Sequence, residues 1–428
     1  MVLIKSKKAY LIRVGFLLLH PMGRLLYQLS LWFYYLSIRL AAPFNEKALL
    51  FLKGRKNLFE RLSNDFRTDG SPLVWVHCAS LGEFEQGRPI VERLKQYYPD
   101  FKILLTFFSP SGYEVRKNYD KADYVYYLPL DSPKSALRFI EITKPSLAIF
   151  IKYEFWHNYL KFLSERHIPV ISVSSIFRNN QIFFKSYGAF QRSTLRLIDH
   201  FFVQNEKSKS LLNQININSV TVSGDTRFDR VFSTCQDASA IKDIEKFIGS
   251  SKVMVIGSSW PEDMEILLPF IQKNPLKFII APHEINRKEI STLVERLNVS
   301  SARYSDGPFR WVEKQVLIID NIGLLSQLYQ YGDYAYIGGA FGKGLHNILE
   351  AAAFGLPIFF GNKNYKKFDE AFRLAELGGA FPIDSYKALQ EQFDKLDSSA
   401  GDISGNFVRE NLGATDSIMK FINTRLGQ

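Results

Sequence analysis

Two carboxylates in this chain follow directly on apolar runs of strand length. Glu83 ends His77-Cys-Ala-Ser-Leu-Gly-Glu after the run 73–78, and Glu154 lies in Lys152-Tyr-Glu-Phe-Trp156-His-Asn158 after the run 147–151. A carboxylate at a strand-to-helix turn is well placed to take a proton as a general base. The same place suits a first-turn acid that complements the helix dipole, and for Glu83 spacing alone leaves both readings open. Glu154 also suits a cap, but an acid beside Trp156 and His157 points to positioning a substrate.

Polar clusters recur after other apolar runs: Ser174-Ser-Ile-Phe-Arg178-Asn179, Gly257-Ser258-Ser259-Trp260, Ala281-Pro282-His283-Glu284 and Asp320-Asn-Ile-Gly323. Small hydroxyl residues at a helix start, as at Ser258 and Ser259, suit a phosphate or a carboxylate. His283 suits either contact with a nucleotide base or a helix cap. In Gly224-Asp-Thr-Arg-Phe-Asp-Arg230 the mixed charges favour pairing of Arg227 and Arg230 with Asp225 and Asp229 over an anion clamp.

The longest cluster is glycine-rich. After the apolar run 334–337 come Gly338, Gly339, Gly342 and Gly344, then a helix expected to open at His346-Asn347 and to carry Glu350. Glycines let a backbone approach a ligand where a side chain would block it. A helix start offers N–H groups and the positive end of a dipole to a phosphate. Glu350, one turn in, suits a ribose. A glycine-rich turn that binds nothing fits the same residues, and a short motif alone does not decide.

Such turns need strands to carry them. Apolar runs at 73–78, 103–107, 124–128, 147–151, 169–173, 200–203 and 220–222 alternate with helical spacing, predicting a parallel sheet covered on both faces. After a weaker polar segment near 234–250 the alternation restarts at 253–256, 278–281, 316–319, 334–337 and 357–360. Two doubly wound domains follow, as the length of 428 residues also suggests. Their ligands are expected in a cleft past the carboxyl ends of both sheets. The expected divisions are 1–45, 46–235, 236–405 and 406–428, the last a helix that returns to the first domain.

Charge is uneven. The net charge is +11, and residues 1–70 hold twelve Lys or Arg against four Asp or Glu. The first 45 residues have six basic residues and no acid, interleaved with the apolar runs 14–19 and 25–38. Neither uncharged run reaches the ~20 residues a spanning helix needs. An in-plane helix with basic edges and Trp and Tyr near lipid headgroups fits better, which favours a membrane surface over nucleic acid as partner. A signal-anchor crossing and a helix packed on the protein's own core remain rival readings. Cys78 and Cys235 belong to no metal-ligand spacing and fit a reducing compartment.

The order of these motifs resembles the Kdo transferases, which move 3-deoxy-D-manno-octulosonic acid (Kdo) from its CMP derivative onto the lipid A precursor (lipid IVA) of lipopolysaccharide. The resemblance runs through nearly the whole chain: the basic apolar N-terminus, Ser80-x-Gly82-Glu83, Glu154-x-Trp156-x-Asn158, Gly224-Asp-Thr-Arg-Phe-Asp229, Gly257-Ser258-Ser259, Asp320-x-x-Gly323, Gly338-Gly339, His346-Asn347-x-Leu-Glu350 and Gly355-x-Pro357. It implies a GT-B fold of two Rossmann-like domains facing a cleft, inversion at the anomeric carbon, and neither metal nor cofactor. It implies Glu83 as catalytic base. Ser258, Ser259, His283, Gly338, Gly339, His346, Asn347 and Glu350 would hold the donor. Glu154, Lys152, Arg178 and Arg55 (in the cationic group Gly54-Arg55-Lys56-Asn57) would hold the acceptor or the sugar. The implied place is the cytoplasmic face of the inner membrane of a Gram-negative bacterium. Three positions depart from the family pattern: Lys152 replaces an acid, Pro282 stands in a motif that lacks its arginine, and Trp260 replaces a histidine. Two other readings fit parts of the chain. A sugar-nucleotide epimerase shares the fold but gives no reason for the N-terminus. A non-catalytic protein that binds anionic lipid explains residues 1–60 but not the ordered motifs.

Overall fold

A computed structural model describes residues 2–67, 70–342 and 344–426, residues 2–21 by their backbone alone. The chain forms two compact units, Met1–Thr226 with Gly413–Gln428, and Arg227–Leu412. The helix Thr226–Gln236 spans the expected division at 235/236 and goes with the second unit from Arg227 onward.

The first unit holds a seven-stranded sheet: β1 Leu73–Cys78, β2 Lys102–Phe107, β3 Tyr124–Tyr127, β4 Leu147–Ile151, β5 Val170–Ser175, β6 His200–Val203 and β7 Val220–Val222. Their order is β3-β2-β1-β4-β5-β6-β7 and every pairing is parallel. Side chains of a strand alternate between faces, and β1 uses both. Leu73 and Trp75 enter one core with Phe139, Phe150 and Tyr159; Val74, Val76 and Cys78 enter the other with Ile90, Val91 and Ile149. A sheet buried on both faces therefore reads as a continuous apolar run. His77, on the Trp75 face, is fully buried in that run.

The second unit repeats the plan with β8 Val253–Ser259, β9 Lys277–Pro282, β10 Ser301–Arg303, β11 Val316–Ile318, β12 Tyr334–Ile337, β13 Ile358–Gly361 and β14 Ala380–Ile383, in the order β10-β11-β9-β8-β12-β13-β14. Val253 and Val255 face one core, Met254 and Ile256 the other. Two of these strands escaped the sequence reading. β10 has three residues, two of them polar, and β14 contains Pro382. Both are edge strands, where short runs and proline are tolerated.

Residues 406–428 are not one helix. Ala400–Glu410 ends in the second unit, Gly413 takes a left-handed φ of 104°, and Ala414–Leu426 packs on the first unit. There Ile418, Met419 and Ile422 join the Val74 core and Phe421 stacks on His200 at 4.5 Å.

At the other terminus a single helix runs Val2–Ala41. The run 14–19 lies where side chains are outside the described residues. From Met22 onward the helix has two faces. Gly23, Tyr27 and Tyr34 turn toward the first unit: Tyr27 donates to buried Asp131 at 2.5 Å, and Tyr34 stacks on Phe108 at 5.9 Å. Met22, Leu25, Leu26, Leu29, Trp32, Phe33, Leu36 and Leu40 are exposed, at the 3–4-residue spacing of one helix face, with exposed Arg24 and Arg39 near its two ends. Among the described residues no helix is long and apolar enough to cross a membrane.

Candidate active site

In each sheet the chain crosses to the other side of its first strand, putting β4 beside β1 and β12 beside β8. Open α/β sheets bind ligands past the carboxyl ends of the strands at such a point. The residues singled out from sequence follow these four strands and their neighbours.

In the first unit Glu83 opens the helix Leu81–Tyr97 after β1 and folds back, so that its Oε2 accepts from the Ala79 N–H at 2.5 Å. That bond serves the turn as a cap does, but it does not hold the carboxyl in the usual carboxylate range. Burial, and then the charge of Glu154, push Glu83 up to about 7, against the Ala79 and Ser80 N–H groups and the Lys152 charge. An acid poised near neutrality is what general-base work requires.

Glu154 is fixed by Trp156, which the motif already placed beside it, and by His77, to which the sequence assigned no role. The Trp156 indole N–H donates to its Oε2 at 2.7 Å, and His77 Nε2 stands 3.2 Å from the same oxygen. His77 is fixed in turn, its Nδ1 lying 2.9 Å from Thr106 Oγ1, which also accepts from Trp75 Nε1 at 2.7 Å. The signal was there in part, because a histidine at the end of a buried apolar strand has to find a partner. What could not be read is that the partner lies 77 residues away.

Lys152, after β4, Ser174, near the end of β5, and Ser258, near the end of β8, are non-glycine residues with φ of 62°, 54° and 54°. Left-handed backbone at such residues is costly and concentrates at functional sites. The Lys152 carbonyl accepts from Ser175 Oγ at 2.7 Å, and its N–H donates to Val173 at 2.8 Å, which locks the turn. The Lys152 charge acts on Glu83, and exposed Arg178 acts on Tyr153. Arg55 is placed differently. Its guanidinium donates to the carbonyls of Leu128, Phe51 and Phe108 and lies 3.6 Å from the Phe51 ring centre. It braces Phe108, which packs on Trp156 at 4.6 Å. Arg227, expected to pair with a nearby aspartate, donates to Glu370 at 2.9 Å, and Asp225 accepts from buried Gln86.

In the second unit the organiser is a residue the sequence reading passed over. Asp263 is fully buried; one oxygen accepts from Tyr336 at 2.9 Å, the other from the N–H groups of Gly339 and Trp260, each at 2.9 Å. It ties the end of β8, β12 and the glycine-rich turn together. An acid at the third helical position is a capping signal, but its reach to β12 is not local. The glycines serve the turn itself. A Cβ on Gly338 would come 2.3 Å from the Ser258 carbonyl, and one on Gly339, whose φ is 94°, would come 2.4 Å from the Gly344 carbonyl. The N–H groups of Gly338, Gly339, Gly342 and Gly344 donate to Gly257, Asp263, Gly339 and Gly339. Close ligand approach is therefore not what requires Gly338 and Gly339.

The expected helix start is also corrected. The helix is Leu349–Ala353, two residues later and only five long, too short for a dipole seat. Asn347 stands two residues before it, accepting from the Leu349 N–H at 3.2 Å while its own amide donates to Glu350 at 3.2 Å. Trp260 stacks on His283 at 4.4 Å and donates its indole N–H to His346 Nε2 at 3.0 Å; His283 and His346 lie 4.4 Å apart. Burial and the neighbouring His283 lower His346 to about 4, so at neutral pH its ring is an acceptor. The Ser259 carbonyl accepts from the His283 N–H at 3.0 Å, and the Gly338 carbonyl from the His346 N–H at 3.2 Å. These contacts join Ser258, Ser259, His283, Gly338, Gly339 and His346 in one group, with Asn347 and Glu350 next in the chain. Beside it a cavity of about 350 Å³ is lined by Ser259, Trp260, Pro282, Glu284 and Asn286. A larger space of about 660 Å³ in the first unit lies near Leu73, Lys102 and Tyr124, at the end of the sheet where ligands of this architecture do not bind.

Known proteins share sequence or fold with this chain over much of its length. Residues 56–230 match the family model for 3-deoxy-D-manno-octulosonic-acid transferase (kdotransferase). A 3-deoxy-D-manno-octulosonic acid transferase of Aquifex aeolicus is 28% identical over 330 residues, covering 76% of this chain and 85% of the relative. One of Haemophilus influenzae is 27% identical over 377 residues, covering 82% and 87%. Among solved structures, a UDP-GlcNAc 2-epimerase from Neisseria meningitidis bound to UDP-GlcNAc has a TM-score of 0.56 at 17% identity, covering 83% of this chain and 99% of the other. MurG of Acinetobacter baumannii has a TM-score of 0.51 at 12% identity, covering 83% and 99%. At such identities these two show the fold alone, which is GT-B. The chain is thus similar over most of its length to 3-deoxy-D-manno-octulosonic acid transferases, and it is a glycosyltransferase.

Proposed function

We propose that the protein transfers Kdo from CMP-Kdo to the tetra-acylated lipid A precursor, with inversion and with Glu83 as the base. The observation that carries this reading is Glu83 itself, half-buried, held by the Ala79 N–H and pushed up to about 7. Glu83 takes the proton of an acceptor hydroxyl as the oxygen forms its bond to the anomeric carbon. The bond to the CMP phosphate breaks, and CMP leaves with that electron pair. Glu154, Lys152 and Arg178 position acceptor or sugar from the first unit. Ser258, Ser259, His283, His346, Asn347 and Glu350 hold the nucleotide on the second, around a turn that Gly338, Gly339 and Asp263 keep in shape. The reaction draws on no metal or cofactor in this reading. The Trp260 departure is consistent with it, since the indole N–H supplies His346 with a donor.

The exposed face from Met22 to Leu40, flanked by Arg24 and Arg39, supports attachment in the plane of the cytoplasmic leaflet of a Gram-negative inner membrane, where the lipid acceptor lies. Incubation with CMP-Kdo and the lipid precursor, followed by mass analysis, tests the transfer. The expected result is a gain of one or more Kdo units with CMP release; binding without release would refute it. Flotation with anionic vesicles tests attachment. Serine at Leu25, Leu29 and Leu36 is expected to release the protein, and unchanged flotation would refute the assignment of that face.

A further inference from the structure

The turn that carries Lys152 and Glu154 holds one more polar group. The Tyr153 hydroxyl is buried and has no hydrogen-bond partner among the described residues. An unsatisfied buried hydroxyl works against stability, so a fold that retains one invites a reason. The backbone that carries the ring is held in place. Lys152 is bonded through both its N–H and its carbonyl, and the Tyr153 carbonyl accepts from the Phe155 N–H at 2.8 Å.

Its surroundings indicate what it is for. The charged groups acting on the phenol are Arg178 and Glu83, and Lys152 and Glu154 act on Glu83 in turn. Burial holds the phenol above its ordinary value, which leaves it a hydrogen-bond donor at neutral pH. Two cations offset the two carboxylates here, so an added negative charge meets a local field that is not repulsive overall. A donor hydroxyl beside a guanidinium suits an oxyanion.

We propose that Tyr153 binds substrate, donating its hydroxyl beside Arg178 to a carboxylate or phosphate oxygen in the first unit. The proposal rests on the reading of Glu83 as the base and adds the class of group held next to it. The sugar carboxylate and a phosphate of the lipid acceptor are the two sources of such an oxygen.

Tyr153→Phe removes the hydroxyl and little else. Full-length protein is assayed with CMP-Kdo and the lipid precursor, and its thermal unfolding is followed in parallel. The variant is expected to keep or raise Tm while kcat/KM falls roughly 10- to 100-fold, the range for a hydrogen bond to a charged group. A rise confined to the KM of CMP-Kdo assigns the sugar carboxylate, and one confined to the lipid KM assigns the acceptor phosphate. Arg178→Gln, at an exposed position, is expected to raise the same KM. Wild-type kcat/KM for both substrates in Tyr153→Phe would overturn the proposal. So would a lowered Tm with kcat falling in proportion and KM unchanged, the mark of a structural hydroxyl. If Glu83→Gln is inactive while Tyr153→Phe behaves as wild type, this inference alone fails; an active Glu83→Gln removes the reading beneath it.

Discussion

Past the switch point of the first sheet the chain gathers ionisable side chains; past that of the second it gathers backbone amides and stacked rings. Burial and the Glu154 charge act on Glu83 against the Lys152 charge, and the result is a carboxyl pushed up to about 7. In the second unit the two histidines lie ring to ring, His346 is lowered to about 4, and a buried aspartate is spent on holding a glycine-rich turn. Burial acts on both, and in both it disfavours the charged form. In the first it produces a group that exchanges a proton near neutrality. In the second it leaves the His346 ring a hydrogen-bond acceptor on a fixed surface. The difference separates chemistry from binding: the base needs a tunable proton, whereas a seat for a CMP-sugar needs fixed shape.

The largest expected effect breaks the chemical side of this contrast. Glu83→Gln keeps the shape of the side chain but cannot accept the acceptor proton, and transfer is expected to fall by roughly 10²–10⁴. Binding of CMP, measured by calorimetry, is expected to match wild type. A matching loss of CMP affinity would mean that Glu83 belongs to the binding side. Gly339→Val is the reciprocal test. Its Cβ would meet the Gly344 carbonyl in a left-handed backbone, a strain of about 1–3 kcal/mol that should weaken CMP binding by roughly 10- to 100-fold. The acid limb of its pH profile is expected to stay in place. A moved limb would tie the glycine-rich turn to proton transfer.

The same contrast explains what was legible beforehand. The doubly wound plan was visible because both sheets are buried on two faces, so central strands such as Leu73–Cys78 and Val253–Ser259 stand out as apolar runs. Edge strands lack that signature, and Ser301–Arg303 and Ala380–Ile383 went unread for that reason. Candidate residues could be found by their place after strands, since topology alone puts them past the switch point. Their purposes were harder. Gly338 and Gly339 look like openings for a ligand until the Ser258 and Gly344 carbonyls are seen in the space. Arg55 looks like a free cation until its three carbonyl partners are known. His77, Asp263 and the Tyr153 hydroxyl act through partners, or the want of one, that only the folded chain reveals.

The central claim is that Glu83 is the base and that Glu154 helps make it one. The most direct measurement is the pH dependence of kcat/KM for Kdo transfer in wild type and in Glu154→Gln. Glu83 must be ionised to accept a proton, so activity should rise with pH through a limb near 7. Losing the Glu154 charge should move that limb down by roughly one pH unit, the lower end of what a nearby like charge does. A wild-type limb in the ordinary carboxylate range, or one near 7 that Glu154→Gln leaves in place, would contradict the account.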